Sequence, residues 1–175
     1  MRGIETRRRD TPFLFAKFQN EILEVMSSGS SIKEVRALMP EVFQHLEKYK
    51  HMLKDRTIPI EDLVFSKRRS KDYNEYDLSR NTTENDAMVQ LNREGKSLIG
   101  GQILRYIITN YNRRKKRSPA AVPLEIIDET TTYDVDRYTE LLAQTCNSVI
   151  EPFGYNIPVE YLYHQGSQYH SSQAS

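Results

Sequence analysis

The sequence predicts an α+β protein, a helical hairpin followed by a small mixed α/β part. Three observations carry this. After Pro12, apolar residues recur at helical spacing through two successive runs. The middle holds short stretches rich in β-branched residues, "DLVF", "QILRYIITN" and "AVPLEIID", set between polar or basic segments. A late run, "DVDRYTELLAQTCNSVIEPFG", returns to the helical period.

Thr11 suits a helix cap and Pro12 the first helical position, where a missing N–H costs nothing. Phe13, Leu14, Phe15, Phe18, Ile22, Val25 and Met26 then form a wide apolar face. "SSGSS" at 27–31 ends this helix and opens the next, which runs from Ile32 to about Lys54 and is kinked or split at Pro40. Two antiparallel helices on a short loop are expected. "TIPIEDLVF" reads as a turn into a short strand, and "SKRRSKDYNEYDLSRN" as loop. Thr83 with Asp86 resembles a capping pair that opens a helix to about Glu94, stopped by Gly95. "GGQILRYIITN" reads as a strand, "NRRKKRSP" as a basic loop and "AVPLEIID" as a second extended segment. Asp134 or Asp136 caps the last helix, which Pro152 and Gly154 terminate. This places a helical half at about 12–55 and a mixed half at about 56–160, with a tail from 161 to 175 expected to be disordered in isolation.

A chain of 175 residues is long enough to bury a core as one domain or two small ones. No apolar run reaches the roughly 20 residues that span a bilayer, and no signal peptide is visible. An intracellular, cytoplasmic protein with no membrane partner is expected. The single cysteine, Cys146, excludes an intrachain disulfide and reads as inert packing on a helix face. Four dispersed histidines argue against a metal site, since His45 and His51 are six apart where one helix face needs four. "EGKSLIGG" echoes a phosphate loop but lacks the glycine five positions before Gly95 and follows a helix where a phosphate loop precedes one. No residue stands out as a nucleophile.

The charge pattern is more informative than its sum. The formal net charge is only +1, yet cations cluster at 2–9, at "KRRSK" (67–71) and at "RRKKR" (113–117). Segregated basic patches on a near-neutral chain point to a polyanion, because each Lys or Arg that neutralises a phosphate releases a counterion. Ser66 and Ser70 add hydroxyl donors beside Lys67, Arg69 and Lys71, a plausible backbone clamp. For "RRKKR" a solvated surface is an equal reading.

"RGIETRRRD" at 2–10 resembles the segment Lys/Arg-Gly-Leu/Ile-Glu-x-x-Arg-Arg-Asp that joins palm to thumb in family B DNA polymerases. The collinear series "IPIEDLVFSKRRSK", "GGQILRYII" and "YDVDRYTELLAQTCNSVIEPFGY" is similar to the stretches that follow it in archaeal members, so the resemblance covers about residues 2–160. It implies a palm-to-thumb junction at 1–11 and a thumb at 12–160, within a replicative DNA polymerase of archaeal type. The concentrated charge at the start would then lie where the thumb leaves the palm and meets DNA.

By resemblance, Arg7, Arg8 and Arg9 lie against the primer–template duplex, with Asp10 orienting an arginine. Ser66 and Lys67 match a thumb contact with the duplex backbone, Arg69, Ser70 and Lys71 fall near it, and Arg113, Arg114 and Lys115 are further candidates. Gly101 and Tyr106 match a glycine and a tyrosine of a strand, and core packing accounts for Tyr106 equally well. In the family the metal-binding Asp-Thr-Asp lies upstream of these stretches and is absent from this chain, so no catalytic residue and no metal ligand is assigned. Magnesium belongs to the complete polymerase, and this chain alone should not polymerise. The implied partners are the primer–template duplex and the palm, fingers and exonuclease parts, close to the nucleoid. The tail "HQGSQYHSSQAS" does not fit the spacing of a clamp-binding peptide, so a sliding clamp is not expected. Two readings of other classes stay open: a self-standing nucleic-acid adaptor, and a helical protein-interaction domain whose basic clusters are merely solvated.

Overall fold

A computed structural model describes residues 10–158. The chain divides into two compact units. One takes in Met1–Phe13 and Ile60–Asp134, the other Leu14–Pro59 and Val135–Ser175.

The helical unit is built on α1 (Phe13–Ser27), α2 (Ile32–Ala37), α3 (Met39–Lys54) and α5 (Val135–Ile150). In α1 the residues at 14, 18, 22 and 26 are all buried, the one-face spacing expected of an amphipathic helix. Ser31 caps α2 by accepting the Glu34 N–H, and the Glu34 carboxylate returns a bond to the Ser30 N–H at 2.6 Å. Pro40 splits the second run in two. It sits in the first turn of α3, where its missing N–H leaves no bond unmade, and Leu38 is the hinge residue. Phe18 meets the Tyr49 ring edge-on at 5.4 Å, and Glu21 accepts from Tyr49 Oη at 2.8 Å and approaches His45 at 3.2 Å. Rising numbers on α1 thus meet falling numbers on α3, so the two run antiparallel.

The last helix departs from the sequence reading. Residues 135–150 were expected in the mixed half, but α5 packs on α3 and stacks Tyr138 on Phe15 at 6.3 Å. Its apolar face, with Tyr138, Leu142, Cys146 and Ile150 all buried, needs a helical partner, and the short sheet offers none of that length. Gly154, with φ +88°, closes the helix after a 3-10 turn at Glu151–Phe153. The Asn147 amide then pairs with both backbone groups of Ile157, at 2.9 and 2.7 Å.

The mixed unit is a three-stranded antiparallel sheet, β1 (Phe65–Arg68), β2 (Ile103–Ile108) and β3 (Ala121–Pro123), in the order β1-β2-β3. The helix α4 (Thr83–Arg93) packs on β2 and β3. The register pairs Phe65 with Tyr106 and Lys67 with Leu104 on one strand boundary, and Ile107 with Val122 on the other. Two expectations are corrected. "SKR" is strand and not loop, because pairing with β2 supplies its backbone bonds whatever its polarity. The cap of α4 is Thr82, one residue earlier than expected: its extended backbone lets its hydroxyl accept the Asn85 N–H. Asp86 is thereby released for another task.

Candidate nucleic-acid interface

The basic residues singled out from the sequence fall into three situations. Arg7, Arg8 and Arg9 lie outside the described residues, but Asp10, which follows them, accepts the Ser66 N–H through its carbonyl at 3.3 Å. Asp10 therefore lies at the outer edge of β1.

Lys67 and Arg113 are each neutralised by a carboxylate of α4. Lys67 Nζ donates to Glu84 Oε1 at 3.1 Å, and Tyr106 Oη donates to the same oxygen at 3.1 Å. Burial alone would raise the carboxyl pKa of Glu84. Its own backbone N–H, the Lys67 ammonium and the Tyr106 hydroxyl outweigh that and lower it. The Tyr106 hydroxyl is pushed well above its ordinary value by burial and by the Glu84 charge. Arg113 donates to Asp86 Oδ2 at 2.9 Å, and the same oxygen accepts the Ala120 N–H at 2.8 Å. Arg113 adopts φ +50°, and Asn110 holds the following turn by donating to the carbonyls of Lys115 and Ser118. The "RRKKR" loop is thus pinned at its base, with Arg114 and Lys115 exposed.

Arg69, Ser70 and Lys71 follow β1. The Arg69 guanidinium lies 4.3 Å from the centre of the Tyr76 ring and the Lys71 ammonium 6.0 Å from it, so both charges lie against one aromatic ring. The Tyr76 hydroxyl accepts the Lys71 N–H at 3.1 Å. Ser70 is exposed, and its carbonyl lies where a Cβ on Gly100 would come within 2.8 Å of it. Gly101, at φ +92°, accepts from Arg68 through its carbonyl and donates to the Arg69 carbonyl. This is why two glycines precede β2.

Residues paired across an antiparallel ladder share a face, and neighbours along a strand alternate. Phe65 and Tyr106 stack at 5.5 Å, and Lys67 reaches Glu84, so these side chains lie on the face that carries α4. Ser66, Arg68, Ile103 and Arg105 must then share the opposite face. Ile107, further along that face, is fully buried, so it is open only at its β1 end. Arg68 and Arg105 are both exposed there. Arg68 belongs to the "KRRSK" cluster but was not named as a contact, and Arg105 was not singled out from the sequence at all. The available signal for Arg105 was a lone arginine alternating within an otherwise apolar strand.

Among the described residues no three His, Cys, Asp or Glu side chains converge to hold a metal ion. Among the described residues no helix is long and apolar enough to cross a membrane.

A family model described as "DNA polymerase family B" matches residues 1–153. The chain belongs to that family. Among family B relatives, DNA polymerase 1 of Saccharolobus solfataricus is 25% identical over 155 residues, covering 88% of this chain and 17% of that protein. The DNA polymerase of Thermococcus sp. (strain 9oN-7) is 26% identical over 157 residues, covering 88% and 19%. The solved family B DNA polymerase from the archaeon Pyrobaculum calidifontis matches in fold with a TM-score of 0.66 at 24% identity, over 81% of this chain and 18% of that one. The chain therefore spans less than a fifth of the length of each of these relatives. The α+β class expected from the sequence is the one observed, and the resemblance to family B polymerases holds over most of the chain.

Proposed function

We propose that this chain acts as the thumb region of a DNA-directed DNA polymerase, holding the primer–template duplex by its phosphate backbone to support processive synthesis. The match to family B over residues 1–153 supports this reading most directly. The basic side chains gathered around β1 give it a physical basis, because contacts to phosphates hold a duplex in register without reading bases. The metal-bound carboxylates of nucleotidyl transfer belong to the palm, in the same or a separate chain, and this region alone does not extend a primer. Residues 1–11 form the junction to that palm.

Two measurements test this. Fluorescence anisotropy with labelled primer–template duplexes of unrelated sequence should give similar affinities that fall steeply with salt. Primer extension by a family B polymerase lacking the matching region should yield longer products when this chain is added. Sequence-selective binding, or binding that ignores salt, would refute the backbone grip. Primer extension by this chain alone would refute its dependence on a palm.

A further inference from the structure

We propose that the open end of the sheet face bearing Ser66, Arg68 and Arg105 is a binding site for the phosphates of duplex DNA, and that Lys67 is not. This deepens the proposed function and rests on it. Three observations carry the inference.

The first is charge. Lys67 and Arg113 have their carboxylates at 3.1 and 2.9 Å, whereas neither Arg68 nor Arg105 has an ion-pair partner among the described residues. A phosphate approaching Lys67 must displace Glu84, and one approaching Arg105 displaces no carboxylate of the described residues. The second is position. Arg105 stands opposite Ser66, and Arg68 is two places along β1 from Ser66, so the two arginines are diagonal neighbours at roughly 7 Å. Like charges so placed repel each other, and a bridging anion turns that cost into attraction. The third is preorganisation. Arg68 donates to the Gly101 carbonyl at 2.7 Å, which holds one edge of its guanidinium, and its other N–H groups have no partner among the described residues. The Ser66 hydroxyl has no partner among the described residues and adds a neutral donor.

The occupant is fixed by complementarity. Two cations at diagonal positions with a hydroxyl beside them on paired strands suit successive phosphates of one DNA strand. They give affinity without sequence preference.

The experiment titrates a fluorescein-labelled DNA duplex with the 175-residue chain at several salt concentrations. It compares the unaltered chain with Arg68→Gln/Arg105→Gln, Arg105→Gln, Arg68→Lys/Arg105→Lys and Lys67→Gln. The double glutamine variant should bind at least about tenfold more weakly, and its log K against log salt slope should shrink by about two, at about 0.9 per phosphate. Arg105 has no partner among the described residues, so Arg105→Gln should keep the native circular dichroism and lose about one unit of slope. The lysine pair should keep the slope, and Lys67→Gln should change little. If Lys67→Gln weakens binding while Arg105→Gln does not, this site assignment is wrong and the thumb reading survives. If the unaltered chain does not bind duplex even at the lowest salt, both fall.

Discussion

Replacing Glu84 with Gln probes the corner where β1, β2 and α4 meet. The carboxylate receives Lys67 Nζ, Tyr106 Oη and Thr83 Oγ1, each at 3.1 Å. Glutamine keeps the shape and one carbonyl acceptor but removes the charge. The Lys67 side chain is 52% exposed while Glu84 is 16% exposed. Solvent therefore screens the ion pair, which contributes about 0.2–1 kcal/mol. A bond to a charged acceptor is worth about 1.5–3 kcal/mol against about 1 for a neutral one, so the Tyr106 bond should lose roughly 1 kcal/mol. The expected loss is about 1–2 kcal/mol, read as a lower urea midpoint at unchanged m-value. A double-mutant cycle with Lys67→Met should return a coupling of no more than about 1 kcal/mol that shrinks with salt. A Gln variant as stable as the parent would show that the carboxylate does not hold this corner. A coupling equal to the whole loss would show that the lysine, and not the tyrosine, is its main partner.

The folded-state pKa of Glu84 lies below its ordinary value, so its contribution is complete above the ordinary carboxylate range and is lost as pH falls through the lowered value. Urea midpoints of the parent and of Glu84→Gln should accordingly converge on acidification and separate towards neutrality. Glu21, lowered by Tyr49, His45 and Lys48 against the opposing effect of burial, should behave with the same sign in the helical unit. Gly101→Ala should cost about 1–2 kcal/mol, seen as a lower melting temperature. A Cβ there meets nothing within 4 Å, so the cost is purely that of φ +92°. Asn147→Ala strands the buried N–H and carbonyl of Ile157 and should cost about 2–4 kcal/mol by urea unfolding. Cys146 is fully buried and its thiol is pushed up to about 12 by burial, so a thiol reagent should label it only as fast as the helical unit opens.

What could be read from the residues follows a physical division. Local signals were legible: the apolar period of α1, the split at Pro40, and the stops at Gly95 and Gly154 all depend on neighbours in sequence. The short strand expected to end at Phe65 runs on to Arg68, a stretch misread as loop because its polarity says nothing about the backbone bonds that β2 supplies. α5 was assigned to the wrong half because its packing partners, Phe15 and α3, lie far back in the chain. The site divides in the same way. The clusters at 67–71 and 113–117 were visible as charge, but the carboxylates that neutralise Lys67 and Arg113 stand 17 and 27 residues away. Arg105 was hidden because a single cation inside an apolar strand looks like an exception to that strand's pattern, when it marks the strand's other face.

The return of α5 to the helical unit has a consequence for synthesis. The stacked pair Phe15 and Tyr138 belongs to a unit interrupted by the whole of Ile60–Asp134, about 75 residues. At roughly 5–20 residues per second, a ribosome takes about 4–15 s to deliver that stretch. Throughout that interval α1, α2 and α3 have left the exit tunnel without the helix that completes their core. The nascent chain must keep Leu14, Phe15 and Val42 from other hydrophobic surfaces for seconds, which makes this interval the natural point for a chaperone to engage it.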